Sequence, residues 1–215
     1  MPAAQRPINP SAVIFDGMKP ILILFALLIG WTLPAADRAG GKLTVKREIQ
    51  FYDIRGRTLN DLRKAMATQG PLNSDGKTRF DGRTDWTLQW TYKWDGKLAK
   101  QAGLYRLSEW TVDVKSTIIL PRWVELDEAN PLEQRRWQVY SARLKLHENG
   151  HAKLAERAGD AVNRAFANIK VYPSSKKLKE AVRLKAQEIL KLHRAMELEY
   201  DQKTDHGKKQ GVRFP

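Results

Sequence analysis

The sequence predicts an α+β fold: a β-rich N-terminal lobe over residues 40–125, then a helical C-terminal lobe over residues 130–215. Three observations carry this. Apolar and polar residues alternate at period 2 in three stretches before residue 125, the spacing of half-buried strands. From Asn130 the period becomes helical and stays so, with one interruption, for most of the remaining chain. A length of 215 residues, 42% of them hydrophobic and 29% charged, suits one domain with a real core, which the two lobes are expected to share.

The elements follow in order. Leu43, Val45, Ile49 and Phe51 lie on one face of a strand over 43–54, with Arg47 the exception. Thr58, with Asp61 three residues on, opens a helix whose apolar positions are Leu59, Leu62 and Met66, and Gly70-Pro71 ends it. Residues 71–84 are rich in Gly, Asp, Asn and Ser and read as loop. Trp86, Leu88, Trp90, Tyr92 and Trp94 alternate with polar residues, as do Trp110, Val112, Val114, Ser116, Ile118 and Leu120. These read as two strands of a long antiparallel hairpin, with a turn at Asp95-Gly96. The tryptophan stripe reads as core and not as a sugar-binding platform. If the edge near 110–120 is open, an extended peptide could add to it.

Asn130 suits a helix N-cap, Pro131 the first helical position and Glu133 the third. The helical pattern then runs through Trp137, Tyr140, Leu144, His151, Leu154 and Ala158 towards Tyr172-Pro173. Ser174 or Ser175 caps a second long helix with the stripe Leu178, Val182, Ile189, Leu192 and Met196, and the tail from Tyr200 is polar.

Residues Ile21 to Leu33, ILILFALLIGWTL, are uncharged, follow Lys19 and precede Pro34-Ala35-Ala36. A basic start, a short apolar run and small residues describe a secretory signal peptide. Residues 1–36 are thus expected to be a signal peptide with an upstream extension over 1–17, cut after Ala35 or Ala36. The uncleaved alternative is an anchor in the inner membrane, the only membrane contact expected. The mature chain is expected to be periplasmic or secreted. With no cysteine, disulfides, thiolate metal sites and cysteine nucleophiles are excluded. The net charge of +14 favours acidic partners, here anionic envelope polymers; the basic residues form no long run, and no nucleic acid is expected.

The chemistry is expected in His147-Glu148-Asn149-Gly150-His151. Residues four apart on a helix share a face, so two imidazoles can reach one metal ion, while the adjacent glutamate can accept a proton from water. This is the HExxH arrangement of metal-dependent proteases and makes the helical lobe zincin-like. A catalytic zinc takes three protein ligands and leaves one position open. His193, mid-helix, reads as a packing residue. His206, on a glycine-bearing segment after the second helix, is the favoured third ligand, with Glu197, Glu199 and Asp201 as competing carboxylates. Tyr200 is a candidate oxyanion donor in the catalytic set with Glu148, and Asp201 or Asp205 could orient a ligand imidazole.

The segments HENGH (147–151) and TDHGKKQG (204–211), together with FYDIRGRTLNDLRKAM (51–66), Gly70-Pro71 and TDWTLQWTY (84–92), resemble the bacterial family known as domain of unknown function 922, predicted secreted zinc-dependent proteases. The C-terminal motif is the specific part, since HExxH is shared by many unrelated proteases. The resemblance covers about Phe51 to Gly211. It implies that His147, His151 and His206 bind Zn2+ and that Glu148 is the general base. The expected activity is therefore an exported zinc metallopeptidase acting on protein or peptide substrates. A peptidoglycan-directed amidase and a non-catalytic basic envelope binding protein are the alternatives.

Overall fold

The computed structural model describes residues 14–16, 40–73 and 76–215. The expected signal segment lies outside them except for residues 14–16. Among the described residues no helix is long and apolar enough to cross a membrane.

The fold is α+β. A sheet of order β1-β3-β4-β2 is built from three long strands, β2 (Gly40–Ile54), β3 (Arg83–Trp94) and β4 (Leu107–Trp123), with the short β1 (Ile14–Asp16) parallel to β3. β3 and β4 are antiparallel as the alternation predicts, from Arg83 opposite Ile119 to Trp94 opposite Leu107. Their connection is not a tight turn. Asp95 accepts hydrogen bonds from the amides of Lys97 and Leu98 and so caps a short helix, α2 (Gly96–Ala102), that ends at left-handed Gly103. β2 pairs in parallel with β4, Gly40 opposite Glu109 through Ile54 opposite Trp123. The β2–β3 connection carries α1 (Leu59–Gln69), which opens with the Thr58–Asp61 capping box. Because β4 is flanked on both sides, an extended peptide cannot add along 110–120; that edge does not exist.

One sheet face packs on two long helices. α3 (Pro131–Ala167) is capped by Asn130, and α4 (Ser175–Thr204) by Ser174. At 1.5 Å per residue the 37 residues of α3 span about 55 Å, and α4 folds back along it. The core has two clusters. In one, Trp86, Trp90 and Val112 of the sheet meet Ala158, Phe166 and Leu178 of the helices. In the other, Leu62 and Met66 of α1 meet Ile118, Trp137, Tyr140 and Leu144. Two of the three tryptophans of β3 are core, Trp86 and Trp90 at 7% and 2% exposed, while Trp94 packs half-buried against the same cluster.

The buried stripe of α4 departs from the sequence reading. It runs Leu178, Val182, Ala186 and then His193, Glu197 and Asp201, while Leu192 is 60% exposed. The buried face thus turns from apolar to ionisable in its C-terminal half. The turn comes where α4 meets the α3 segment between the two clusters.

Candidate metal centre

His147, Glu148 and His151 project from the middle of α3 and are each 1% exposed. One helical turn sets the two imidazoles side by side, ring centroids 5.0 Å apart. From α4 comes Asp201, 4% exposed. Its Oδ1 lies 3.3 Å from Nε2 of His147 and 3.1 Å from Nε2 of His151. The donor atoms of His147, His151 and Asp201 all lie within 4.8 Å of one another, a buried group that could hold a metal ion.

The chemistry of the group fits that use. Nδ1 of His147 is 2.9 Å from Oε1 of Gln210, and Nε2 of Gln210 donates to the Tyr200 hydroxyl at 3.1 Å. That amide orientation makes Nδ1 the protonated nitrogen and leaves a lone pair on Nε2. This Nε2 is buried with no hydrogen-bond partner among the described residues. Such an atom is costly in a dry interior unless something else binds it. A tetrahedral ion with ligand bonds of about 2.0–2.1 Å has ligand–ligand edges of roughly 3.3 Å, the spacing that the Asp201 oxygen keeps from both rings. Behind His151, Glu197 accepts from Nε1 of Trp86 at 3.2 Å, its Oε1 3.7 Å from Nδ1 of His151.

Two glycines of the motifs have steric reasons. A Cβ on Gly150 would overlap the Tyr200 hydroxyl and ring, its third-nearest neighbour being Cε1 at 2.9 Å. A Cβ on Gly207, at φ +84°, would stand 3.0 Å from Cγ of His147. The C-terminal segment therefore closes directly onto the His147 ring.

Glu148 accepts a hydrogen bond from Thr84 of β3, Oγ1 to Oε2 at 2.8 Å. It lines a cavity of about 380 Å³ shared with His147, His206, Asp81 and Tyr140. Four basic residues, Arg63, Arg79, Lys208 and Arg213, also line it. Asp81 is held by the Tyr140 hydroxyl and by Arg63, 3.1 Å from each carboxylate oxygen, while its carbonyl accepts from Tyr52 at 2.7 Å. Burial, and then the Asp81 charge, push both phenols well above the usual tyrosine range, so both stay protonated donors.

The other expected site residues lie nearby in different roles. Tyr200 is not among the residues lining the cavity. Its ring stacks on His147, centroids 5.2 Å apart and 11° between planes, and its hydroxyl donates to the His147 carbonyl at 3.1 Å. His206 lines the cavity but is not one of the three clustered donors; its Nδ1 is 3.8 Å from the other Asp201 oxygen, Oδ2. Asp201, one of the competing carboxylates, sits nearer because the last turns of α4 face α3, whereas His206 lies beyond the helix end. His193 is buried, and burial pulls its pKa below the ordinary histidine value.

Sequence reasoning missed Gln210 and Thr84 as partners of the site, and named Glu197 only as a competing ligand, not as the partner of Trp86 behind His151. Extending the α4 stripe past Ala186 in steps of three and four gives 189 or 190, 193, 197 and 201, so burial of Glu197 and Asp201 had a periodic signal. Thr84 and Gln210 had none, because their contacts join distant parts of the chain.

The family model described as bacterial protein of unknown function (DUF922) matches residues 49–207. No curated protein and no solved structure matches the chain. The matched span takes in most of the sheet, both long helices, the three clustered donors and His206, and the chain belongs to the DUF922 family.

Proposed function

We propose that the protein is an exported zinc-dependent metallopeptidase with a zincin-like centre. The observation that carries the reading is the approach of one Asp201 oxygen to both Nε2 atoms, at 3.3 and 3.1 Å, beside a buried glutamate. His147, His151 and Asp201 would hold the ion, three protein ligands with one position left for water or substrate. Zinc there supplies Lewis acidity, polarising a carbonyl and making water more acidic. Glu148, held by Thr84, accepts a proton as water attacks an amide carbon and passes it to the nitrogen that leaves. Gln210, Tyr200 and Glu197 position the ligands.

Lys19 and the apolar run after it support export. A peptidoglycan-directed amidase is the second reading. It is favoured by the four basic residues lining the cavity, which suit substrates rich in carboxylates.

The test pairs metal analysis with proteolysis. The purified mature chain should carry one zinc, and His147→Ala/His151→Ala should carry none. Glu148→Gln should keep the zinc and lose cleavage of an unfolded-protein substrate or of peptidoglycan stem peptides. Stoichiometric zinc in the double variant removes the ligand assignment; normal turnover by Glu148→Gln removes the base.

A further inference from the structure

We infer that His206 is the substrate-facing hydrogen-bond donor of this centre and not one of its metal ligands. The inference rests on the peptidase reading for its chemistry. Its geometry stands independently.

Three donors already converge, and a hydrolytic metal needs its fourth position free, so a further histidine ligand would close the site. His206 stands just outside the group, its ring lining the same cavity as Glu148. Nδ1 is the nitrogen nearer Asp201, at 3.8 Å from Oδ2, so Nε2 is on the far side of the ring from that carboxylate. With a side chain 39% exposed, His206 is open to a ligand in a way that His147 and His151, at 2% and 1%, are not.

The backbone shows that this placement is enforced. Asp205 and His206 both sit at φ 49°, in the left-handed region, and are the described non-glycine residues found there. Such a conformation costs most residues with a Cβ, Asp and Asn least among them, so at His206 it persists because the surrounding structure holds it. Here the His206 amide donates to the Asp201 carbonyl at 2.8 Å, and Thr204 and Val212 fix Gly207 on either side. The strained turn hangs His206 directly from the residue that completes the metal group.

Most of the competing donors that line the cavity are committed elsewhere: Tyr140 and Arg63 hold Asp81, Arg79 donates to the Gly70 carbonyl, and Lys208 is 3.4 Å from Asp205, which leaves the exposed Arg213 as the cationic competitor. His206 therefore stabilises the negative charge that develops on the carbonyl oxygen under attack. It donates a hydrogen bond and gains or loses no proton overall; water supplies the oxygen for the new C–O bond, and Glu148 carries the proton to the departing nitrogen.

The experiment compares zinc-loaded wild type, His206→Ala, His206→Asn and His206→Gln. Asparagine tolerates the left-handed backbone, so it guards against a folding defect in the alanine variant. Zinc affinity by chelator competition should stay within about threefold of wild type in all of them. Affinity for a phosphonate peptide, a stable tetrahedral oxyanion, should fall at least tenfold in the alanine and asparagine variants and recover partly in the glutamine variant. On a substrate cleaved by wild type, kcat should fall by about 10²–10³ with KM little changed. A tenfold or larger loss of zinc affinity overturns the inference and makes His206 a ligand. Unchanged phosphonate binding with zinc retained also overturns it. If wild type binds phosphonate through His206 yet cleaves no peptide, the peptidase reading fails while the donor assignment stands.

Discussion

Replacing Gly150 by alanine sets two physical effects against each other with opposite signs. Gly150 lies inside α3, where alanine should stabilise a helix by about 1 kcal/mol. The new Cβ, however, would overlap the Tyr200 hydroxyl and ring. Tyr200 cannot give way freely, because it is stacked on His147 and its hydroxyl meets both the His147 carbonyl and Gln210. Overpacking of this kind costs about 1–3 kcal/mol, and each displaced hydrogen bond about 1 kcal/mol more. The net expectation is a loss of roughly 1–3 kcal/mol, or a Tm lower by about 2–12 °C for a chain of this size. Urea and thermal denaturation of the apo-protein measure it without the complication of bound metal. In a Tyr200→Ala background the clash is gone and the same substitution should become neutral or stabilising. An alanine variant as stable as wild type with Tyr200 intact would refute the packing argument, since propensity would then have won.

Three further outcomes are expected. Gln210→Ala removes the acceptor that fixes the His147 tautomer and should weaken zinc binding by about 10–100-fold, read by chelator competition, whereas Lys209→Ala on the exposed side of the same turn should not. Thr84→Val keeps the shape but withdraws the donor from buried Glu148, so kcat should fall while zinc content stays at one per chain; an unchanged kcat would show that Glu148 is held without it. Burial lowers the pKa of His193, so below about pH 6.5 the unfolded chain takes up a proton that the folded chain resists. Stability from His193 is therefore present above that pH and lost as pH falls towards the lower folded value. Urea midpoints of wild type should drop between pH 7 and 5 more steeply than those of His193→Gln.

Much of the architecture was written in periodicity. The alternation of Trp86 to Trp94 and of Trp110 to Leu120 predicts two strands on one core, and Thr58, Asn130 and Ser174 mark helix starts that the structure keeps. Connections were harder. Asp95-Gly96 has the chemistry of a turn and also of an N-cap, and the helix-forming residues Lys97 to Ala102 decide between them. Partner choice was not local at all: nothing in residues 43–54 reveals that they lie parallel to β4, because strand pairing depends on the crossover between them. At the site, helical spacing was enough to pair His147 with His151. It did not rank Asp201 against His206, since that depends on how far α4 runs before its left-handed end.

The parallel pairing of β2 with β4 also governs the order in which the protein can fold. The partner of Gly40 is Glu109, so β2 can dock only on β4, with α1, the 71–82 loop, β3 and α2 all lying in the stretch of chain closed between them. Closing so long a loop carries an entropic cost before any contact repays it, and such long-range pairing is slow compared with forming the β3–β4 unit or the two helices. In that interval Val45, Ile49 and Phe51, which stay 43%, 39% and 55% exposed even in the finished fold, form an unpaired apolar strand. It is a ready template for pairing with another nascent chain. Arg47, Lys46 and Glu48 interrupt that run with charge, which makes them gatekeepers of folding yield as well as partners in surface ion pairs.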